Sequence, residues 1–475
     1  MKAGFWEEDI TPWVGTERPG GYTKVYNNQV HDPIKIRALV LSDGKKEVVF
    51  LSLDLLVVPR KIVTAIRKRI HWKLGIPREA ILVAASHTHS SGPVFGLYPE
   101  EYRKAPPSIK ELIEKYSIIP DTFYTTLIIE KAVSAVHRCQ DKMQDVCLSF
   151  WQGQESSCVF NRRFKMKNGQ TYTHPGKGNP DILQAAGPID PEVNVLGVWS
   201  GREEFLGCIV NYACHGTTGP GGISADWVFY LEKTIRGVMG EKSYVVFLNG
   251  ACGDVTQVDN LSKSELEIGE RYSCRLGQRV GAEVLKGLAC PPKGKVRIDF
   301  RNKVLKIPCR RVSPERVKAA WKVIEKQKPH SSADWTFAKE LIIADYIVRQ
   351  KPSVEVEIQA IKVGPAIFIT NPAELFCSLG LRIKDSSHFP FTFVVELANG
   401  CIGYVPDKSA FEASGGGYET ILTSYSHLIP EAGELIVKES TSLLQEFKPD
   451  KTPGYPKARN FLTPWSYGTR KPELE

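Results

Sequence analysis

No segment of the chain stays apolar for long enough to span a bilayer, and the opening residues, MKAGFWEEDITP, put Glu7, Glu8 and Asp9 where an export signal would need its apolar stretch. Paired cysteines are missing too. The eleven cysteines are an odd count with no CxxC spacing, and Cys208, Cys214 and Cys252 lie in or beside apolar runs, so they read as reduced, mostly buried small hydrophobes. Long runs of like charge are also absent. The 62 Lys and Arg against 53 Asp and Glu leave +9 with nothing resembling a nucleic-acid arm, so no nucleic-acid partner is expected. The densest basic cluster, Arg60, Lys61, Arg67, Lys68, Arg69 and Lys73, falls on an amphipathic helix pattern and reads as a solvated face, with at most peripheral contact to an anionic membrane. These absences lead us to expect a cytoplasmic protein.

What is present is an ordinary globular composition over 475 residues, 42% hydrophobic and 24% charged. We expect one domain of two or three lobes over residues 1–449, followed by a polar, proline-rich tail at 450–475. An α/β fold of mixed sheets with flanking helices is the expected class. The apolar run Val48 to Val58, a helical face of Ile62, Ile66, Ile70 and Leu74 closed by Gly75 and Pro77, and a second run from Ala80 to Ala85 make a β-α-β unit. The same grammar recurs at Phe205–Tyr212, a helix capped by Asp226 and closed by Gly240, and Tyr244–Leu248; it recurs again at Ala366–Thr370, a helix opening near Glu374, and Phe391–Leu397. Residues 94–122 and 165–187, rich in Pro or in Gly, Pro and Asn, read as long loops over the site mouth.

His87, His215, Thr256, Glu374 and Tyr404 all lie just beyond the carboxyl ends of predicted strands, where open α/β folds place ligands. His87 and His89 are two apart at a strand end, so both rings are expected on one face and either suits a metal. Taken alone, the pair also fits two histidines satisfied by hydrogen bonds. Glu374 follows Pro372 at the expected first turn of a helix, where the helix dipole alone favours a carboxylate.

SHTHSSGP, NYACHGTT, NGACGDVT, NPAEL and GYVPDKSAFEASGGGYE, with Asp9-Ile10-Thr11-Pro12 and His31-Asp32-Pro33, together resemble the catalytic domain of the neutral/alkaline (non-lysosomal) ceramidases, in the same order from about residue 4 to 445. The resemblance implies a short member without the family's immunoglobulin-like C-terminal domain. It implies one zinc ion on His87, His215, Glu374 and Tyr404, with His89, Arg162 and Tyr418 acting on substrate. Where the family carries Ser in G-D-x-S-P-N this chain reads Gly253-Asp254-Val255-Thr256-Gln257-Val258, so Thr256 is expected in a serine-like role.

The expected chemistry is attack of zinc-bound hydroxide on an N-acyl carbonyl, the partner being a small N-acyl compound with lipids among the candidates. A zinc esterase or lactonase would use the same electrophilic centre, and a noncatalytic metal-containing binding module is the alternative from another class. His and carboxylate ligands also suit iron or manganese. Oligomeric state is not legible.

Overall fold

Three parallel strand pairs, each closed by a single helix, organise the computed structural model, which describes residues 1–288, 294–454 and 466–475. Glu47–Leu53 and Ile81–Ala85 pair in parallel across the helix Arg60–Leu74; Phe205–Tyr212 and Tyr244–Asn249 do so across Trp227–Met239; Ala366–Thr370 and Phe391–Val395 do so across Cys377–Asp385. Parallel neighbours require such a crossover, and all three units anticipated from the apolar patterning are present. Their punctuation holds as well. Gly75 closes the first helix at φ 73° and the Asp226 carboxylate caps the second by accepting from the Trp227 N–H.

The first two units occupy opposite edges of one eight-stranded sheet. Its order is Tyr244–Asn249, Phe205–Tyr212, Glu192–Ser200, Gln144–Gln154, Lys2–Asp9, Lys35–Ser42, Glu47–Leu53, Ile81–Ala85. The sheet folds back so that its edges meet: Ser52 Oγ donates to the Phe247 carbonyl at 2.5 Å. The third unit belongs to a separate four-stranded sheet, packed through Phe368 on Phe50 at 4.7 Å between ring centroids. Asn211 Nδ2 donates to the carbonyls of Leu248 and Val394, Glu396 N–H to Asn249, and Asn399 N–H to Val83. These bonds draw the carboxyl ends of all three strand pairs together at a junction of two sheets.

Two expected loops are folded. Within 94–122, Pro99–Tyr102 and Pro107–Tyr116 are helices, because Pro99 and Pro107 stand at first helical positions, where proline starts a helix rather than breaking it. Leu112 and Ile113 are buried against Leu341 and Ile342 of the helix Ala333–Gln350. Within 165–187, Arg163–Met166 pairs with Thr171–Thr173 and Ile182–Ala185 in a three-stranded antiparallel sheet, its first turn made at Asn168-Gly169 with Gly169 at φ 81°.

The basic helix face is largely neutralised. Arg60 and Arg67 both pair with buried Glu357, Lys61 with Glu100 and Arg69 with Glu130. The ten described cysteines are free, seven of them buried. Among the described residues no helix is long and apolar enough to cross a membrane. Asp450, where the tail was expected to begin, accepts from Lys362 Nζ at 2.7 Å, and residues 455–465 of that tail lie outside the described residues.

Candidate metal centre

His87 follows the strand Ile81–Ala85, but the alternation expected of a strand end does not operate there. Its backbone turns left-handed at φ 66° after Ser86 N–H and His87 N–H bond to the carbonyls of Leu53 and Leu55. The turn still brings His87 and His89 together, their centroids 4.9 Å apart. His215 arrives from the other sheet edge. Thr88 and Gly216 form a parallel bridge, and a side chain at Gly216 would stand 2.7 Å from the His87 carbonyl oxygen, so the H-G-T motif needs glycine for that approach.

Glu374 does not open a helix. It lies in the two-residue strand Glu374–Leu375, paired in parallel with Tyr404–Val405, and the helix starts only after Phe376. Glu374 N–H bonds to the Gly403 carbonyl and Leu375 N–H to the Glu396 carboxylate, so backbone pairing holds this carboxylate rather than the helix dipole. The same pairing sets Glu374 directly opposite Tyr404.

The three imidazoles share one arrangement. Nδ1 of His87, His215 and His89 meets the carbonyls of Leu56, Val255 and Gly20 at 2.9, 3.0 and 3.2 Å. A carbonyl only accepts, so the proton sits on Nδ1 and the Nε2 lone pair points inward, as a metal ligand requires. One ring nitrogen each of His87, His89 and His215 lies within 4.8 Å of the others. Glu374 Oε2 stands 3.2 Å from Nε2 of both His87 and His215. Ligand atoms about 2 Å from one tetrahedral ion are about 3.3 Å apart, so this spacing fits zinc. Nε2 of His87 and His89 and Oε2 of Glu374 are buried without a hydrogen-bond partner, an arrangement that a cation would relieve.

The charges point the same way. Burial works against a charge on His87, but the Glu374 carboxylate overrides it and raises the pKa. Burial, then the Arg162 cation, pushes His215 down to about 3. Burial would raise Glu374, yet His87 and His215 hold it well below the usual carboxylate range. The proton favoured on His87 must leave when an ion binds. Affinity for a divalent ion is therefore expected to climb with pH up to the raised His87 pKa and to level off above it. Chelator competition across a pH series measures this, and a flat profile would remove His87 from the ligand set.

Arg162 is buried beside this cluster. Nη1 lies 3.1 Å from His215 Nε2, Nη2 donates to the Gly253 carbonyl at 2.8 Å, and Nε donates to Glu419 at 2.9 Å. Its guanidinium lies 5.1 and 5.4 Å from the ring centroids of Tyr418 and Tyr404. Burial disfavours its charge, but both phenols and the Glu419 and Glu374 carboxylates outweigh that and raise its pKa. The NGACGDVT motif is the platform underneath. A side chain on Gly253 would stand 2.5 Å from the Glu374 carbonyl oxygen, and Asp254 receives Cys377 N–H and Asn161 Nδ2 while its carbonyl takes Arg162 N–H.

Seven of the eight candidate residues thus meet in one place. Tyr404 and Tyr418 stand ring to ring at 5.8 Å. Thr256 follows Val255, whose carbonyl receives His215 Nδ1; it pairs with Phe160, and its hydroxyl accepts the Val258 N–H at 3.1 Å. Two residues escaped the sequence reading. Tyr425 Oη donates to Glu374 Oε1 at 2.6 Å, and Glu396, pushed up to about 8 by burial, receives the Cys252 and Leu375 N–H groups beneath the site. Neither sits in a motif; both are legible only through their contacts.

Mixed sheets with flanking helices, and buried His and Glu side chains converging at strand carboxyl ends, define an α/β protein with a candidate metal centre. Its fold is that of the neutral ceramidases. The neutral ceramidase from Pseudomonas aeruginosa superposes with a TM-score of 0.66 at 17% identity, over 97% of this chain and 76% of that one. A ceramidase structure complexed with C2 matches equally, at TM-score 0.66 and 17% identity over 96% and 77%. No protein-family model and no curated protein sequence matches the chain.

Proposed function

We propose that the chain is a zinc-dependent amidase that hydrolyses an N-acyl bond, with a ceramide-like lipid amide as the first substrate to test. The observation that carries this reading is the buried convergence of the His87 and His215 Nε2 atoms on Glu374 Oε2 beside a fixed Arg162 cation. His87, His215 and Glu374 would hold the ion, with Tyr404 as fourth ligand. When bound, the ion supplies Lewis acidity toward water and the acyl carbonyl.

The protein residues divide the remaining work. Arg162 is positioned by its bonds to Glu419 and the Gly253 carbonyl; with His215 Nε2 on the ion, Nη1 is freed to stabilise the oxyanion that develops at the acyl carbon, and Tyr418 can donate to the same oxygen. His89 has an inward Nε2 with no partner, an open lone pair that can take the proton of the attacking water and pass it to the leaving amine. Thr256 supports the platform through its turn rather than by nucleophilic attack.

The test is metal analysis of the purified chain together with a panel of amides and esters carrying the same acyl group. Zinc near one per chain, amide cleavage abolished by chelation and restored by zinc is the expected result. Ester cleavage alone would reassign the enzyme as an esterase, and metal without turnover of either class would leave a binding module.

A further inference from the structure

Tyr425 holds the oxygen of Glu374 that the histidines do not face. Its hydroxyl donates to Oε1 at 2.6 Å, while Oε2 stands 3.2 Å from both histidine Nε2 atoms. A carboxylate can clasp a cation through one oxygen or through both. With Oε1 engaged by a phenol, only Oε2 remains for the ion.

The phenol is itself held firmly. Its ring packs edge-on against Phe95 at 5.1 Å and 82° and against Tyr404 at 5.8 Å and 89°. The Gly403 backbone passes so close that a side chain there would stand 2.1 Å from the Tyr425 carbonyl oxygen. The next residue, Ser426, takes the Tyr404 N–H on its hydroxyl at 3.0 Å. Tyr425 is thus tied to the strand pair that carries Glu374 and Tyr404. Behind it, Cys401 Sγ lies 3.6 Å from the hydroxyl.

We propose that Tyr425 is a positioning residue of the metal centre: its hydrogen bond makes Glu374 a one-oxygen ligand and keeps a coordination place open for water or substrate. The inference rests on the zinc-site reading above and extends it to a residue outside the proposed ligand set.

The test is Tyr425→Phe in the full chain, which removes the hydroxyl and keeps the ring, compared with Phe95→Leu, which disturbs the ring's packing and keeps the hydroxyl. Zinc affinity is read by competition with a chromophoric chelator, and coordination number by the visible spectrum of the cobalt-substituted protein. Tyr425→Phe is expected to weaken zinc about 10-fold or more. It is also expected to lose cobalt absorption intensity, because a freed second oxygen raises the coordination number and higher-coordinate cobalt absorbs more weakly. Phe95→Leu should keep both values. Wild-type affinity and spectrum in Tyr425→Phe would overturn the proposal, as would equal changes in Phe95→Leu. A wild-type chain that takes up neither metal would overturn the zinc-site reading itself, and that failure shows before any substitution is made.

Discussion

His215→Ala is expected to weaken zinc binding by more than about 100-fold, since losing an outer-shell partner alone costs 10- to 100-fold and this change removes a ligand. Hydrolysis of the N-acyl substrate should vanish with the metal. The ring fills a fully buried position, and its Nδ1 bond to Val255 is lost as well, so some stability falls with it. His215→Asn separates the effects, because its amide can keep a bond toward Val255 while lacking the inward imidazole nitrogen. Metal analysis and thermal unfolding of both variants make the check; retained zinc in either would remove His215 from the centre.

The second large effect is expected at Arg162. Arg162→Met removes a preorganised charge beside the reacting carbonyl, and the loss of one such donor lowers kcat by about 100- to 1000-fold. It also leaves Glu419 buried without its cation, which costs about 3–5 kcal/mol of stability. Glu419 has one other side-chain contact, the Thr173 hydroxyl at 2.8 Å. Combining Arg162→Met with Glu419→Gln should therefore recover most of the lost thermal stability and none of the lost turnover. Recovery of both would make Arg162 purely structural.

The three β-α-β units were legible because each carries strong local signals, an apolar run, a helical period and a glycine or aspartate at the helix end. How they dock was not. That Glu47–Leu53 and Tyr244–Asn249 touch depends on the curl of an eight-stranded sheet, which no local window contains. The differences share a cause. Proline richness alone does not tell a loop from helix starts such as Pro99 and Pro107, and Glu374 sits in a strand whose two-residue partner, Tyr404–Val405, lies far along the chain. Seven candidate residues named by their motifs lie together in the fold. Tyr425 touches Glu374 from a segment with no signature.

The isolated bridge between Thr88 and Gly216 joins the segments that carry His87 and His215. His87, His215 and Glu374 lie far apart in the sequence and meet only in the folded chain. An ion held by all three would clamp the two edges of the curled sheet to the second sheet, so removing it should lower the unfolding temperature of the whole chain.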